Sequence, residues 1–429
     1  MSRVVLAAHP LIGHVTPILT IAGDLVVRGH DVLVYTGARF TDRIRAIGAR
    51  SWALPPEIDY DDRDFDAAFP ARASMPPGPA RGAFDTCQLV VAPTPAALAG
   101  LRDLLAEFPA DVIITEQTFL APAALRMADP ENCPRVLTVG HVIPMFSSAD
   151  VPPMGMGEPP VEGPQNRIRN RMIHEKAREV LADVYAHNAA VFASMGITIV
   201  DSVYDVGIAA SDHYVQLGVP GFEYPRDDAP EHFTFGGALP PDPGDDFTEP
   251  AWWPELGKDR PVVVLTQGTL ANTDPNQLLA PAVRALADLD VLVIAVTVRD
   301  DGPQLVQQAL GGEVPSNVRL ASYVPFGKLL PHAAVFVTNG GYGGVQTALR
   351  NGVPIVVGGA TEDKPEVAAR VQWSGCGIDL RTAAPDEAGI RTAVRAVLDE
   401  PCYAEAARRL GTQMASHDPL AHIAEIIAA

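Results

Sequence analysis

Val335-Phe336-Val337-Thr338 runs directly into Asn339-Gly340-Gly341-Tyr342-Gly343-Gly344, and the chain then takes up helical character. A β-branched and aromatic run, a glycine cluster and a helical segment predict strand, tight turn and helix. Such a turn presents backbone N–H groups at a helix N-terminus, where the macrodipole favours an anion. Glycine also lets the backbone approach a ligand, because no Cβ intervenes. Taken alone, the cluster could equally be a βα turn that only packs tightly. After Gly352-Val353-Pro354, however, the apolar run Ile355-Val356-Val357 ends in Gly358-Gly359-Ala360-Thr361-Glu362-Asp363-Lys364. This second strand has charge concentrated in the loop at its carboxyl end, where ligands sit in open α/β sheets.

The segment 323–364 resembles the sugar-donor signature of the family 1 glycosyltransferases, enzymes of the GT-B fold that move a sugar from a nucleotide diphosphate to a small acceptor. The residues that carry the likeness are Tyr323-Val324-Pro325, Leu329-Leu330-Pro331-His332, the glycine turn, Gly352-Val353-Pro354 and Asp363-Lys364, in the family's order. The chain departs from the family pattern at Asn339, where His is common, at Thr347, where Glu is common, and at Phe326 and Lys364, where Gln is usual. The resemblance implies two Rossmann-like α/β domains with parallel sheets facing a cleft, and a last helix that crosses back to the first domain.

With 429 residues, two large domains suffice. The balance of 32 Lys+Arg against 52 Asp+Glu gives a net charge of −20, and without a basic block nucleic acid is excluded as a partner. A diphosphate must then be held by local N–H groups, hydroxyls or a few cations, against the overall field. Cys87, Cys133, Cys376 and Cys402 are scattered without CxxC spacing, which predicts free thiols and neither zinc nor a disulfide framework. The N-terminus begins with a strand-like run and carries no signal-peptide pattern. The longest apolar runs fall short of the roughly 20 residues needed to cross a bilayer. A cytoplasmic protein without a membrane span is the expectation.

Upstream, the apolar run 4–8 leads into His9-Pro10-Leu11-Ile12-Gly13-His14-Val15-Thr16-Pro17, an apolar-periodic segment to Leu25, and the strand-like Asp31-Val32-Leu33-Val34-Tyr35. This is a βαβ unit without GxGxxG, so the dinucleotide fingerprint is missing. A His at a helix start can simply cap or pack. Gly13-His14-Val15-Thr16-Pro17 also resembles the family's opening, in which the His is the general base; the resemblance assigns that role to His14, with His9 as a local rival. The strand 111–115 carries Glu116 just past its end. Parallel strands bring their carboxyl ends to one edge, so Glu116 and the His14 loop converge. The family usually has Asp there, and Glu116 is its counterpart.

Residues 55–83 and 141–165 are long stretches rich in Pro and Met without clear period, read as loops forming an acceptor wall, with Met145, Phe146 and Met154 as candidates because Met adapts to irregular apolar shapes. The Pro/Gly/Asp-rich stretch 236–246 marks a domain boundary. The predicted division is an acceptor domain over 1–235, a linker over 236–256, a nucleotide-sugar domain over 257–408 and a crossing helix over 409–429.

The second domain repeats the first one's grammar. Its strand 262–266 ends at Gln267-Gly268-Thr269, where Gly268 permits close approach and Thr269 offers a hydroxyl. By resemblance, Tyr323 stacks on the base and Val324 offers backbone hydrogen bonds. Gly268, Thr269, Asn339 and the N–H groups of Gly341, Gly343 and Gly344 hold the diphosphate. Thr347 takes the ribose position, and Asp363 with Lys364 meets the donor sugar. The implied reaction is inverting and metal-independent, from a dTDP- or UDP-sugar to a small hydrophobic acceptor of natural-product type, with the nucleotide-sugar as co-substrate and no cofactor, in a monomer or homodimer. The alternatives are a catalytically silent nucleotide-sugar-binding auxiliary protein and another GT-B-like enzyme such as a sugar epimerase. A nicotinamide oxidoreductase is disfavoured by the missing fingerprint.

Overall fold

The computed structural model describes residues 1–76, 78–241, 247–258, 260–268, 272 and 274–429. Among them two parallel sheets form. The first has seven strands, β1 (Arg3–Ala7), β2 (Asp31–Thr36), β3 (Arg50–Ala53), β4 (Val112–Glu116), β5 (Arg135–Gly140), β6 (His213–Gln216) and β7 (Phe233–Phe235), in the order β3-β2-β1-β4-β5-β6-β7. The second has six, β8 (Val262–Thr266), β9 (Leu292–Val296), β10 (Val318–Ala321), β11 (Val335–Thr338), β12 (Ile355–Val357) and β13 (Gly377–Asp379), in the order β10-β9-β8-β11-β12-β13.

Strands buried on both faces read as continuous apolar runs, and β1 follows that rule. Val4 and Leu6 face a cluster with Val15, Ile18 and Leu25 of the helix Ile12–Val27. Val5 and Ala7 face the other way, onto Leu98, Leu101 and Leu104 of the helix Thr94–Glu107. In the second sheet Val263 and Leu265 take one face and Val262 and Val264 the other.

The cluster containing Val264 also takes in Ile143, Val219 and Phe222 from the first domain and Ala238 from the segment after it, with Phe336, Tyr342 and Val345 from the second. The two domains therefore share one apolar core. The segment after β7 is docked on both: Gly236 and Gly237 donate to the Gln216 and Gly218 carbonyls, and Trp252, Trp253 and Leu256 pack on the shared core. Residues 242–246 of the expected linker lie outside the described residues. The helix Pro401–Ala415 puts Leu410 and Met414 into the shared core, whereas Pro419–Ala428 puts Ile423 and Ile427 into the first domain's core. Residues 416–418 separate the two helices, and Pro419 starts the second, capped by Asp418.

The loop reading of 55–83 and the reading that no stretch reaches bilayer length both need correction. Residues 55–83 are not loop throughout: they hold the short helices Phe65–Ala68, Pro70–Ala73 and Pro79–Phe84. The last of these continues through a π-helical turn into the helix Thr94–Glu107, so that Pro79–Glu107 forms 29 helical residues long and apolar enough to cross a membrane by length and composition. Periodicity hid this length because Pro93 and the π turn change the phase of the apolar face midway.

Candidate active site

In the first sheet the chain leaves β1 toward β2 and leaves β4 toward β5, so a crevice opens between their carboxyl ends. Both flanks of that crevice carry chemistry. Ala7 is registered opposite Thr115, so the residues just past them are neighbours. His14 lies in the first turn of the helix Ile12–Val27, whose leading N–H, that of Ile12, donates to Asp62 Oδ2 at 2.6 Å. Glu116 is the last residue of β4 and fully buried. His14 Nδ1 and Glu116 Oε1 are 3.1 Å apart. A carboxylate only accepts, so Nδ1 carries the proton and the lone pair is left on Nε2.

Thr118, absent from the sequence reading, holds the carboxylate in place. Its N–H donates to Glu116 Oε2 at 2.7 Å, and its hydroxyl lies 2.9 and 2.8 Å from the two oxygens. His141 was also missed as a site residue. Its ring centroid is 4.5 Å from that of His14, its Nδ1 is 3.7 Å from Glu116 Oε2, and both its nitrogens are buried without a hydrogen-bond partner. His9, the rival base, is buried with Nε2 against the Thr118 carbonyl at 3.1 Å. It supports the turn that carries Thr118.

Burial opposes ionisation of Glu116, but the adjacent imidazoles, His14 first and by direct hydrogen bond, outweigh it and hold the carboxyl well below the usual carboxylate range. Burial pushes His141 down to about 3, with His14 adding and Glu116 opposing. It pushes His9 down as well, although there Glu116 opposes more than His14 adds. The site is thus an ionised carboxylate orienting one partly exposed imidazole, backed by two buried neutral ones. His14, Glu116 and His141 offer ligand atoms within 4.8 Å of one another. Thr118 and His14 hydrogen-bond the same carboxylate.

The second sheet repeats the geometry at β8 and β11, where Thr266 is opposite Thr338. Gly268 adopts φ +75°, and a Cβ there would stand 2.9 Å from the Asn339 amide atoms. Gly359 is tighter still, its Cβ position 1.9 Å from the Asn339 carbonyl oxygen. The Asn339 side chain itself is buried, Nδ2 donating to the Gln267 carbonyl and Oδ1 without a partner. That amide lies between the two loops. Thr269 lies outside the described residues.

Gly341 precedes the helix Tyr342–Arg350, no side chain caps it, and open space lies over the Cα atoms of Gly341 and Gly343. The first N–H groups of that helix, including those of Gly343 and Gly344, lack intrahelical partners by geometry. Tyr323 is 54% exposed, as a stacking platform requires, and Val324 is 2% exposed with its side chain in the shared core. Thr347 Oγ1 donates to the Gly343 carbonyl at 2.8 Å.

Asp363 and Lys364 open the helix Lys364–Trp373. Burial pushes the Asp363 carboxyl up, with Lys364 opposing and Glu362 adding, and the field of His14 reaches it. Contacts from Arg72 to Glu362 and from Gly157 to Glu366 set the first domain against this loop and helix start. Lys364 Nζ pairs with Glu362 and with Thr361 Oγ1, and Glu362 also pairs with Arg72 of the first domain at 3.1 Å.

Of the three acceptor candidates, Met154 alone is open, at 39% exposure. Phe146 is buried against Phe233, with the Arg226 guanidinium over its ring, because Ile208, Tyr214 and Phe233 offer it a pocket of their own. Met145 packs on the shared core. Both line a cavity of about 10 Å³, room for about one water.

Residues 282–429 match the model of the erythromycin biosynthesis protein CIII-like C-terminal domain. Over 99% of both chains the sequence is 40% identical to the 4'-demethylrebeccamycin synthase of Lentzea aerocolonigenes. It is 37% identical to UDP-glycosyltransferase 2 of Phaeomoniella chlamydospora, over 99% of this chain and 95% of the relative. In fold it is similar to the glycotransferase of kitacinnamycin, with a TM-score of 0.71 over 100% of this chain and 99% of that one at 24% identity.

Proposed function

Because the chain belongs to the family 1 glycosyltransferases of the GT-B fold, the nucleotide-sugar-dependent enzymes of natural-product type, we propose that it transfers a hexose from a UDP- or dTDP-sugar to a hydroxyl of a small lipophilic acceptor, with inversion and without a metal. The observation that carries this reading is the 3.1 Å contact between His14 Nδ1 and Glu116 Oε1 at the carboxyl edge of β1 and β4. Glu116 fixes the tautomer and stabilises the imidazolium that forms. His14 Nε2 removes the acceptor proton as that oxygen attacks the anomeric carbon.

The diphosphate leaves from the opposite face, which inverts the centre. Its charge is taken by the N–H groups of Gly341, Gly343 and Gly344 at the N-terminus of the helix Tyr342–Arg350. That is the physical reason a metal is dispensable. Asp363 and Lys364 hold the sugar hydroxyls, and Tyr323 supports the base. The presence of an oriented base favours transfer over the silent auxiliary reading, and the open Met154 rim favours a lipophilic acceptor over an epimerase, which acts on the nucleotide-sugar alone. We place the enzyme in the cytoplasm, where nucleotide-sugars are made.

The test incubates the protein with a panel of nucleotide-sugars and phenolic or polyketide acceptors, and reads donor consumption and the anomeric configuration of the product by NMR. Inverted product formed in the presence of a chelator is the expected result. Retained configuration, or activity that needs a divalent cation, overturns the mechanism.

A further inference from the structure

The N–H groups of Gly155 and Gly157 both end on Glu366 Oε1, at 2.9 and 2.8 Å. The other oxygen, Oε2, accepts from Arg370 Nη1 at 2.9 Å. Arg370 Nε donates in turn to Glu223 Oε2 at 2.6 Å. Glu223 Oε1 accepts the Tyr342 hydroxyl at 2.9 Å, and that oxygen accepts from Gln216 Nε2 at 3.1 Å. The chain of bonds crosses between the domains at each end, and none of its five side-chain-bearing members exceeds 5% exposure.

Buried charge of this kind is costly unless paired, and here Arg370 pairs with two carboxylates at once. The loop tip that Glu366 reaches carries two glycines. Gly155 and Gly157 adopt φ +95° and +62°, which turns their N–H groups onto one oxygen, the geometry of a small anion-binding nest. A Cβ on Gly157 would stand 3.2 Å from Pro365, so the tip lies directly on the helix start. Met154 and Met156, which alternate with these glycines, stay 39% and 42% exposed. Glu366 lies three residues after Asp363 and hence on the same helical turn.

We propose that Glu366 is a positioning residue for the acceptor. It fixes the 154–157 tip, and with it Met154 and Met156, against the turn that begins with Asp363 and Lys364. One helical turn thereby sets both the donor sugar and the wall of the acceptor site. The assignment of the tip to the acceptor rests on the glycosyltransferase reading; the grip of Glu366 on the tip does not.

The experiment compares Glu366→Ala, Glu366→Gln and Glu366→Asp with wild type by amide hydrogen exchange, by acceptor kinetics and by calorimetry with uridine and thymidine diphosphates. In Glu366→Ala, exchange of the peptide holding Gly155 and Gly157 rises at least about tenfold, the ordinary loss for hydrogen bonds to a charged group. Acceptor KM rises by a similar factor, while kcat at saturating acceptor and diphosphate affinity stay within about twofold. Glu366→Gln restores most of the acceptor KM, because its amide oxygen still accepts both N–H groups. Should Glu366→Ala not fold, Glu366→Asp carries the test: it keeps the charge for Arg370 but withdraws the oxygen from the loop, and gives the same two changes.

Unchanged exchange at the two glycines overturns the grip. Faster exchange with an unchanged acceptor KM overturns the positioning role. So does a KM rise that diphosphate affinity shares and Glu366→Gln does not rescue, since that marks a general structural defect. A wild type that binds neither diphosphate overturns the donor site beneath the acceptor assignment, an outcome the exchange measurement separates because it needs no ligand.

Discussion

Nδ1 of His14 and Oε1 of Glu116 stand 3.1 Å apart across 102 residues of sequence, and the reason lies in strand order. β1 and β4 are hydrogen-bonded neighbours, so the first helical turn after one strand and the last residue of the other share an edge. Substitution of either partner is expected to fall on turnover and to leave donor binding alone. His14→Ala lowers kcat by about 10²- to 10⁴-fold, the usual worth of general acid–base catalysis, and Glu116→Gln lowers it by a smaller factor because Nε2 remains. Steady-state rates beside diphosphate calorimetry check this. Normal turnover in a folded His14→Ala protein removes the base.

Acid should weaken the fold from just below the ordinary histidine value. His9 and His141 are neutral when folded because burial lowers both, whereas in the unfolded chain each titrates near 6.5. Below that value the unfolded state binds more protons, so stability is lost as pH falls, and for His141 the loss continues down to about 3. Each group contributes a slope of at most about 1.4 kcal/mol per pH unit. Glu116 acts in the same direction lower down, since its depressed value gives stability that is present above the ordinary carboxylate range and lost beneath it. Below the histidine value the urea midpoint should fall less steeply with acid in His141→Leu than in wild type. Identical slopes would mean that His141 is protonated in the folded protein.

Arg370 is the group whose loss should cost most. It is 1% exposed and pairs with both Glu223 and Glu366, and its guanidinium stands 4.1 Å from the centre of the Tyr224 ring. Arg370→Met leaves two buried carboxylates facing each other, an expected loss of about 3–5 kcal/mol. Adding Glu223→Gln to Arg370→Met should recover part of it, because one uncompensated charge is then gone. Chemical unfolding of the single and double variants decides the point, and strictly additive losses would count against a shared network.

The strand, glycine turn and charged loop at 335–364 were legible because local chemistry alone specifies them: β-branched residues, glycines where the backbone needs them, and apolar runs buried on both faces. The convergence of His14 with Glu116 was legible from the parallel topology. Phe146 was misread because an aromatic residue in an irregular stretch is packed or open according to neighbours that the sequence does not bring near, here Tyr214 and Phe233. The Asn339 amide turns toward the Gln267 carbonyl, 72 residues away, a contact that local sequence does not display. The Glu223, Glu366 and Arg370 network joins residues 147 apart on two domains. Its one local trace is Glu366 and Arg370 at i,i+4 on a helix whose neighbouring positions Val367, Ala368 and Ala369 are apolar, a pattern that reads equally as a surface ion pair.

We expect donor choice to turn on Thr347, which the resemblance places where the family carries a Glu for the ribose hydroxyls. Its hydroxyl proton is already spent on the Gly343 carbonyl, at 2.8 Å, so Thr347 has only lone pairs to offer a sugar. Gln346 does not replace the missing carboxylate: it is 5% exposed, both its amide atoms are buried without a partner, and Nε2 would lie 3.8 Å from a Cβ on Gly218 of the first domain. A ribose therefore loses a charge-assisted pair of hydrogen bonds, each roughly twice as strong as a neutral one. A deoxyribose, with one hydroxyl fewer, loses less. The expected outcome is a thymidine donor used at least as well as the uridine donor of the same sugar. In Thr347→Glu the ratio of kcat/KM should move toward uridine by about tenfold or more, equivalent to about 1.4 kcal/mol. The comparison needs both nucleotides with one sugar, in wild type and variant. A wild type that prefers uridine by more than about tenfold, with a ratio that Thr347→Glu leaves in place, would show that the ribose is read elsewhere.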